Sequence, residues 1–408
     1  QGFSGAAMKA DRPNRRAALR SACLHCLGWG GLFSGLSTFA QEKTPSASTS
    51  PSTAFPPRFD RPALDSDEGG LWAMMDREET RLRRSPFVLR QKSLNQYVQD
   101  LVCRLAGDHC PDVRTYVVRT PLFNASMAPN GMMQVCSGLL LRVENEAQLA
   151  AVLGHEIGHY LERHSLERLR DAKSRAAFGQ FLGMFGAVGS LGQLGLLAGA
   201  FSFSREHETR ADRLGMQIIQ RAGYDGRQAA LVWDNLLGEL KVRGGEDAGR
   251  RSPMMATHPP PETRRDDLLQ LAGGAGGKTG VHEFNAVMAP HRFDWLQDEI
   301  KRGQFEASLA LFNRLLKQAD NDAQLLYARG ETYRLRAGPD DEAHAFQDLT
   351  LASQQAQAPA LAYRSLGLLH KQRSDKPAAV RAFEHYLNMA PDASDANLIK
   401  TYLTELST

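Results

Sequence analysis

Residues 153–159 read Leu153-Gly154-His155-Glu156-Ile157-Gly158-His159, and the helix predicted to carry them decides how the surrounding chain is read. Asn145 has the chemistry of an N-cap, and an amphipathic pattern runs from Glu146 to about His164. Side chains four apart on a helix lie one turn apart on one face, so His155 and His159 offer two imidazoles to a single ion. Zn2+ accepts such nitrogens at about 2.0–2.1 Å. Glu156 stands beside them, placed to take the proton of a water whose acidity the ion raises. The plain alternative is a surface helix with two exposed histidines. A Gly-containing hairpin before the motif and an acidic helix after it favour the metal reading.

Two imidazoles leave a metal short of protein ligands. An extended motif would place Gly at 162 and His at 165, but the chain has Glu162 and Ser165, and His164 falls one residue out of register. A third ligand must come from elsewhere, and the best source is Glu206-His207-Glu208-Thr209-Arg210-Ala211-Asp212. Glu208 and Asp212 share a helix face, so Glu208 can ligate while Asp212 bonds the outer nitrogen of a ligand histidine and fixes its tautomer. Glu206 competes for the ligand role, although Arg210 rather than an acid stands one turn on. A solvated acid on a charged helix is the bland reading of Glu208. His258, in Met255-Ala256-Thr257-His258-Pro259, has three readings: a donor to a tetrahedral oxyanion, a fourth metal ligand that keeps the site latent, or a loop histidine near a proline-rich turn.

Outward from the motif, Tyr116-Val117-Val118 reads as a strand. Asn124–Ala128, a turn at Pro129-Asn130-Gly131, and Met132–Val135 read as a hairpin. An exposed edge at Asn124–Ala128 would pair with an extended peptide, unless the strands form an internal pair. A helical pattern covers Leu71 to about Leu105. Residues 176–204 carry no charge and are dense in Gly and Phe. Their glycines argue for a buried or membrane-facing helical hairpin, hence peripheral membrane contact, over a true span. A charged helix follows from about Arg205 to Ala222.

The chain of 408 residues calls for two or three domains; its 42% hydrophobic content supports real cores, and a net charge of +3 with interspersed signs gives no nucleic-acid footprint. From Met8, a basic start (Lys9, Arg12, Arg15, Arg16, Arg20) and an apolar run to Ala40 predict an export signal over 1–40, by the general or the twin-arginine route, with an uncleaved anchor as the alternative. Residues 41–65 are expected to be a disordered tether, 66–271 a catalytic domain, 272–285 a Gly-rich linker and 286–408 a helical repeat domain. Cys103 and Cys110 are either a disulfide closing a short loop or two small core residues. In the last segment Ala307, Ala343 and Ala379 stand 36 residues apart, as do Tyr327 and Tyr363, and Ser374-Asp375-Lys376 breaks two helical patterns. This resembles the tetratricopeptide repeat, whose units of about 34 residues stack into a solenoid with a concave binding face. A generic helical bundle is the alternative.

His-Glu-Ile-Gly-His, followed by Ser204 through Asp212 and preceded by a hairpin leading into Ser137-Gly138-Leu139-Leu140, resembles the M48 family of zinc metallopeptidases. With an export signal and C-terminal repeats, the chain looks like the periplasmic branch of that family. The resemblance implies a mainly α fold: an α+β, gluzincin-like catalytic domain with a small hairpin sheet, plus an α-solenoid. It implies one Zn2+ per chain on His155, His159 and Glu208, with Glu156 as base, Asp212 as supporting acid and His258 in a Thr-His-Pro like the family's. It further implies an endopeptidase acting on unfolded or misassembled envelope proteins, in quality control of outer-membrane proteins; the repeats would capture the substrate or dock the enzyme on the outer-membrane assembly machinery. Two other readings stand: a chaperone or scaffold with a latent zinc site, and a membrane-embedded peptidase using 176–204 as a span.

Overall fold

Proline breaks the first predicted helix. The pattern over 71–105 divides into α1 (Asp67–Arg84) and α2 (Lys92–Ala106), with Ser85 extended at ψ 137° immediately before Pro86. The proline ring disfavours the helical region in the residue before it. The computed structural model describes residues 55–174, 203–242, 254, 257–258, 263–274 and 276–407. The export signal read at 1–40 and all of the apolar segment but 203–204 lie outside the described residues. Among the described residues no helix is long and apolar enough to cross a membrane. Residues 55–65, expected to be tether, are instead anchored: the Arg58 guanidinium bonds both carboxylate oxygens of Asp112, Phe59 meets Tyr160 edge-on with centroids 5.2 Å apart, and Arg221 lies 3.5 Å over the Phe55 ring. Two aromatic anchors outweigh the polar composition there.

Cys103 and Cys110 are disulfide-bonded, tying the end of α2 to the short 3-10 turn Gly107–Asp112. Then come β1 (Arg114–Val118), β2 (Ala125–Met127) and β3 (Met132–Cys136), in spatial order β1-β3-β2, with β1 parallel and β2 antiparallel to β3. The hairpin turn needs its glycine: Gly131 has φ 85°, and a Cβ there would lie 2.0 Å from the Asp112 carbonyl oxygen. The Ala128 amide donates to Met132 O at 2.8 Å and the Cys136 amide to Asn124 O at 3.1 Å. Alternation in an antiparallel ladder then turns the peptide groups of Ala125 and Met127 to the outer edge. β2 is therefore an edge strand, but the expected exposure is absent: Ala125 is 1% and Met127 8% exposed, because α4 packs against β2.

α3 (Ser137–Arg142) leads to α4 (Glu146–Leu161), which carries the His-Glu-Ile-Gly-His stretch; Asn145 caps it by accepting from the Gln148 amide at 2.9 Å. α4 ends three residues before His164. Arg163 adopts φ 57°, and α5 (His164–Ser174) sets off in a new direction. α6 (Arg205–Arg221), α7 (Arg227–Lys241) and α8 (Arg264–Ala272) complete the layer. α4 and α6 cross through glycines. A Cβ on Gly158 would lie 2.9 Å from Ala211 O, and one on Gly215 3.0 Å from the His155 amide nitrogen. This approach brings the acidic face of α6 onto the histidines of α4.

α9 (Val281–Lys301), α10 (Phe305–Leu316), α11 (Ala323–Arg336), α12 (Asp341–Ser353), α13 (Ala360–Gln372), α14 (Lys376–Met389) and α15 (Ala396–Ser407) follow. The described residues are mainly α with one small sheet, as expected. The Gly-rich stretch read as a linker is tied down: Asp225 and Ala147 amides donate to Lys278 O and Thr279 O at 3.1 and 3.0 Å, and one buried apolar cluster runs from Leu94 to Leu369 across it. The 36-residue register slips at its middle member. Ala307 and Ala379 are buried, but Ala343 is exposed and Ala345 is buried in its place, because the Arg336–Pro339 insertion delays α12. Gly330 and Gly367 mark equivalent close crossings: Cβ atoms there would meet Leu349 at 2.9 Å and Phe383 at 2.4 Å.

Candidate metal centre

Four side chains from three parts of the chain converge in the interior. His155 and His159 come from α4, Glu208 from the first turns of α6 and His258 from the segment before α8; none is more than 4% exposed. His155 Nε2 lies 3.0 Å from His159 Nε2, 3.4 Å from Glu208 Oε2 and 3.3 Å from His258 Nδ1. Glu208 Oε1 lies 3.4 Å from His159 Nε2 and 2.9 Å from His258 Nδ1. Ligands at about 2.0–2.1 Å around a tetrahedral ion are about 3.3–3.4 Å from one another, and the separations here, 2.9–3.4 Å, lie at or just below that spacing. The group also presents more lone pairs than hydrogens, since the outer nitrogens of both α4 histidines have partners of their own. A buried cation fits that donor set.

The outer partners are specific. Asp212 Oδ1 lies 2.9 Å from His155 Nδ1 and accepts its hydrogen, the arrangement expected from the Glu208–Asp212 spacing. His164 Nδ1 lies 2.9 Å from His159 Nδ1. The out-of-register reading of His164 assumed that α4 continued. The left-handed Arg163 instead swings His164 back over His159. Arg264 joins the acids: its Nη1 is 3.2 Å from Glu208 Oε2, its Nη2 is 2.7 Å from Asp212 Oδ1, and its guanidinium stacks 3.8 Å over Trp233. Phe203 stacks on the His159 ring with centroids 4.0 Å apart, walling the group from one side. Sequence reading found neither residue. Arg264 lies six positions after His258 on a short helix without periodicity, and Phe203 belongs to a run of similar apolar residues. Glu206, the competing ligand, is not among the clustered groups.

Electrostatics follow from burial and pairing. Burial alone would push the Glu208 carboxyl up, but the neighbouring His258 and hydrogen bonds to His155, His159 and His258 hold it far below the usual range. Asp212 is likewise held low against its burial, by Arg264 and His155. Burial and Arg264 push His155 down, yet its bonds to Asp212 and Glu208 carry it up to about 9; a metal ion must displace that proton. Burial drives His159 well below its ordinary value. The Glu156 carboxyl is pushed up by burial, with His258 and His155 opposing, and the Met127 amide favours its charged form. Glu156 Oε1 is buried without a hydrogen-bond partner, 3.4 Å from His258 Nε2. An acid–base group poised beside four convergent donors can exchange a proton with whatever the donors hold.

Residues 88–272 match the model of Peptidase family M48. The beta-barrel assembly-enhancing protease of Escherichia coli K12 is 30% identical over 208 residues, covering 47% of this chain and 41% of that protein. Its Yersinia pestis counterpart is 31% identical over 217 residues, covering 49% and 43%. The mitochondrial metalloendopeptidase OMA1 of Arabidopsis thaliana is 34% identical over 178 residues, covering 41% and 35%. The chain thus spans less than half the length of these curated relatives. The converging His155, His159 and Glu208 all fall inside the matched region, so the part of the chain that builds the site, residues 88–272, is the part that is similar to peptidase family M48.

Proposed function

We propose that this chain is a zinc-dependent endopeptidase held latent by His258. The observation that carries the reading is the group of inward-facing donor atoms on His155, His159, Glu208 and His258, 2.9–3.4 Å apart across the contacts given above, with an unpartnered Glu156 oxygen beside them. Zinc held there would polarise a carbonyl as a Lewis acid and make a water acidic near neutral pH. Glu156 takes the proton of the attacking water and returns it to the leaving amine. Asp212 holds the His155 tautomer, His164 orients His159, and Arg264 positions both Glu208 and Asp212. His258 Nδ1, 3.3 Å from His155 Nε2 and 2.9 Å from Glu208 Oε1, would be a fourth protein ligand to zinc, and it must leave before turnover so that water and substrate can reach the site. Its departure also lets His258 Nε2, now beside Glu156, turn toward a developing oxyanion.

The outer edge of β2 is the favoured dock for an extended peptide, with Ala125 and Met127 offering their peptide groups once the covering contacts open. Endopeptidase action on unfolded or misassembled proteins accords with that mode. The basic and then apolar start over 8–40 supports export to the periplasm. The enterobacterial relatives are named for enhancing β-barrel assembly, which supports a role for this chain in outer-membrane protein quality control. α9–α15 are read as tetratricopeptide-like units that capture substrate or dock on assembly machinery. Peripheral membrane contact through 176–204 belongs to the same proposal. Closure of the site by His258 favours one second reading, a scaffold working through its helical array. Cleavage of an unfolded protein and rescue of an envelope defect by wild type and Glu156→Gln decide between them. Loss of both in the variant supports the peptidase; rescue by the inactive variant supports the scaffold.

A further inference from the structure

A second group of ligand-type side chains stands behind the first. His164, Glu167 and His207 each offer one ligand atom, and these atoms lie within 4.8 Å of one another. His164 is fully buried; its Nδ1 contacts His159, but its Nε2 has no hydrogen-bond partner. The His207 ring stacks on it with centroids 4.5 Å apart, and His207 Nδ1 is also buried and unpartnered. Buried polar atoms are ordinarily satisfied, so two orphan nitrogens in one group of three call for an explanation. Glu167 supplies negative charge: its Oε2 lies 3.0 Å from His207 Nε2 and accepts from Arg210 Nη1 at 3.0 Å. Its side chain is 41% exposed, which gives an ion a path from solvent. The plain reading is a packed histidine pair with Arg210 neutralising the acid, and it leaves the fully buried His164 Nε2 unexplained.

We infer that His164, His207 and Glu167 form a second site for a divalent transition-metal ion such as zinc, one imidazole removed from the first, and that filling it suppresses activity. Two imidazoles and a carboxylate suit zinc, nickel or copper. The ion must displace Arg210 from Glu167, although Arg210 keeps its bond from Nε to Glu162 at 3.1 Å, so the site fills only at metal excess. Suppression follows from the shared histidine. With His159 ligating through Nε2, its Nδ1 keeps a hydrogen and donates it to His164 Nδ1. Neutral His164 then carries its own hydrogen on Nε2, the atom the second ion requires. The two ions therefore compete for one hydrogen arrangement. The suppression rests on the zinc-peptidase reading; the binding does not.

The test counts ions by equilibrium dialysis against zinc, using the full chain with Glu156→Gln. One ion is expected at low zinc and two at excess, with the second abolished by His207→Ala or Glu167→Gln and the first retained. A stoichiometry of one throughout, or a second ion that survives both substitutions, overturns the inference; no bound ion at all overturns the zinc reading as well. In the active chain, excess zinc should depress cleavage in step with the second ion, and His207→Ala should retain severalfold more activity at the same zinc. Equal inhibition of both chains overturns the suppressive role and places the effect at the first site.

Discussion

Charges buried beside the C-terminal helices are paired off, whereas those buried between α4, α6 and α8 converge. Arg142 bonds Glu239 at 2.8 Å and Glu299 at 2.9 Å, Arg329 bonds both oxygens of Asp348 at 2.6 and 2.7 Å, and the Ser365 hydroxyl donates to Glu331 at 2.7 Å. Each of these donors meets an acceptor, which fixes how the helices sit against the sheet layer. Around His155 and His159, acceptors and ring nitrogens face one another instead, and Glu156 Oε1 and His164 Nε2 have no partner. Structural ion pairs close on themselves. A site built to hold something else leaves its donors aimed at a common point.

The largest expected effect lies on the paired side. Glu299→Ala leaves the buried Arg142 with Glu239 as its one remaining carboxylate partner and takes a partner from Arg302 and Ser308, and should cost about 3 kcal/mol in urea unfolding. Arg142 and Arg302 hold the Glu299 carboxyl below its ordinary value against the opposing effect of burial. Its stabilisation is therefore complete above the unfolded value of about 4.3 and is lost as pH falls through the folded one. The gap between wild type and Glu299→Gln should narrow on acidification, and a gap that widens contradicts the pairing.

On the convergent side, His164→Ala should weaken zinc binding about 10–100-fold, roughly 1.4–2.7 kcal/mol, as measured by competition with a chelating dye. A stability loss with unchanged metal affinity would reassign His164 to packing alone. His258→Ala should keep the metal and raise cleavage of an unfolded substrate severalfold; reduced cleavage would favour its oxyanion role over its latency role. The smallest effect is expected at the edge strand. Ala125→Pro removes an outward amide without touching the β3 ladder, and should lower kcat/KM by about tenfold or less while circular dichroism and zinc content stay constant.

Helical periodicity made the convergent cluster legible. His155 and His159 on one helix, and Glu208 and Asp212 on another, keep their spacing whatever the rest of the fold does, so their mutual facing follows from two local rules. Breaks in periodicity hid the rest. The left-handed Arg163 returns His164 to the site, and no rule based on a continuing α4 reaches that outcome. Gly158 and Gly215 matter through a crossing between distant helices, which single-helix patterns do not encode. In the C-terminal array the repeat was visible as a spacing, but the Arg336–Pro339 insertion moved the buried small residue from Ala343 to Ala345. Residues 55–59 looked like tether by composition because two aromatics carry little weight in an average and a great deal in a contact.

Metal analysis of the purified full chain tests the central claim most directly, with wild type and Glu208→Ala compared after dialysis against trace zinc. The account predicts one zinc per wild-type chain and little or none in the variant, with far-ultraviolet circular dichroism unchanged. A full zinc complement in folded Glu208→Ala would contradict the convergence of α6 on α4 as the source of the third ligand.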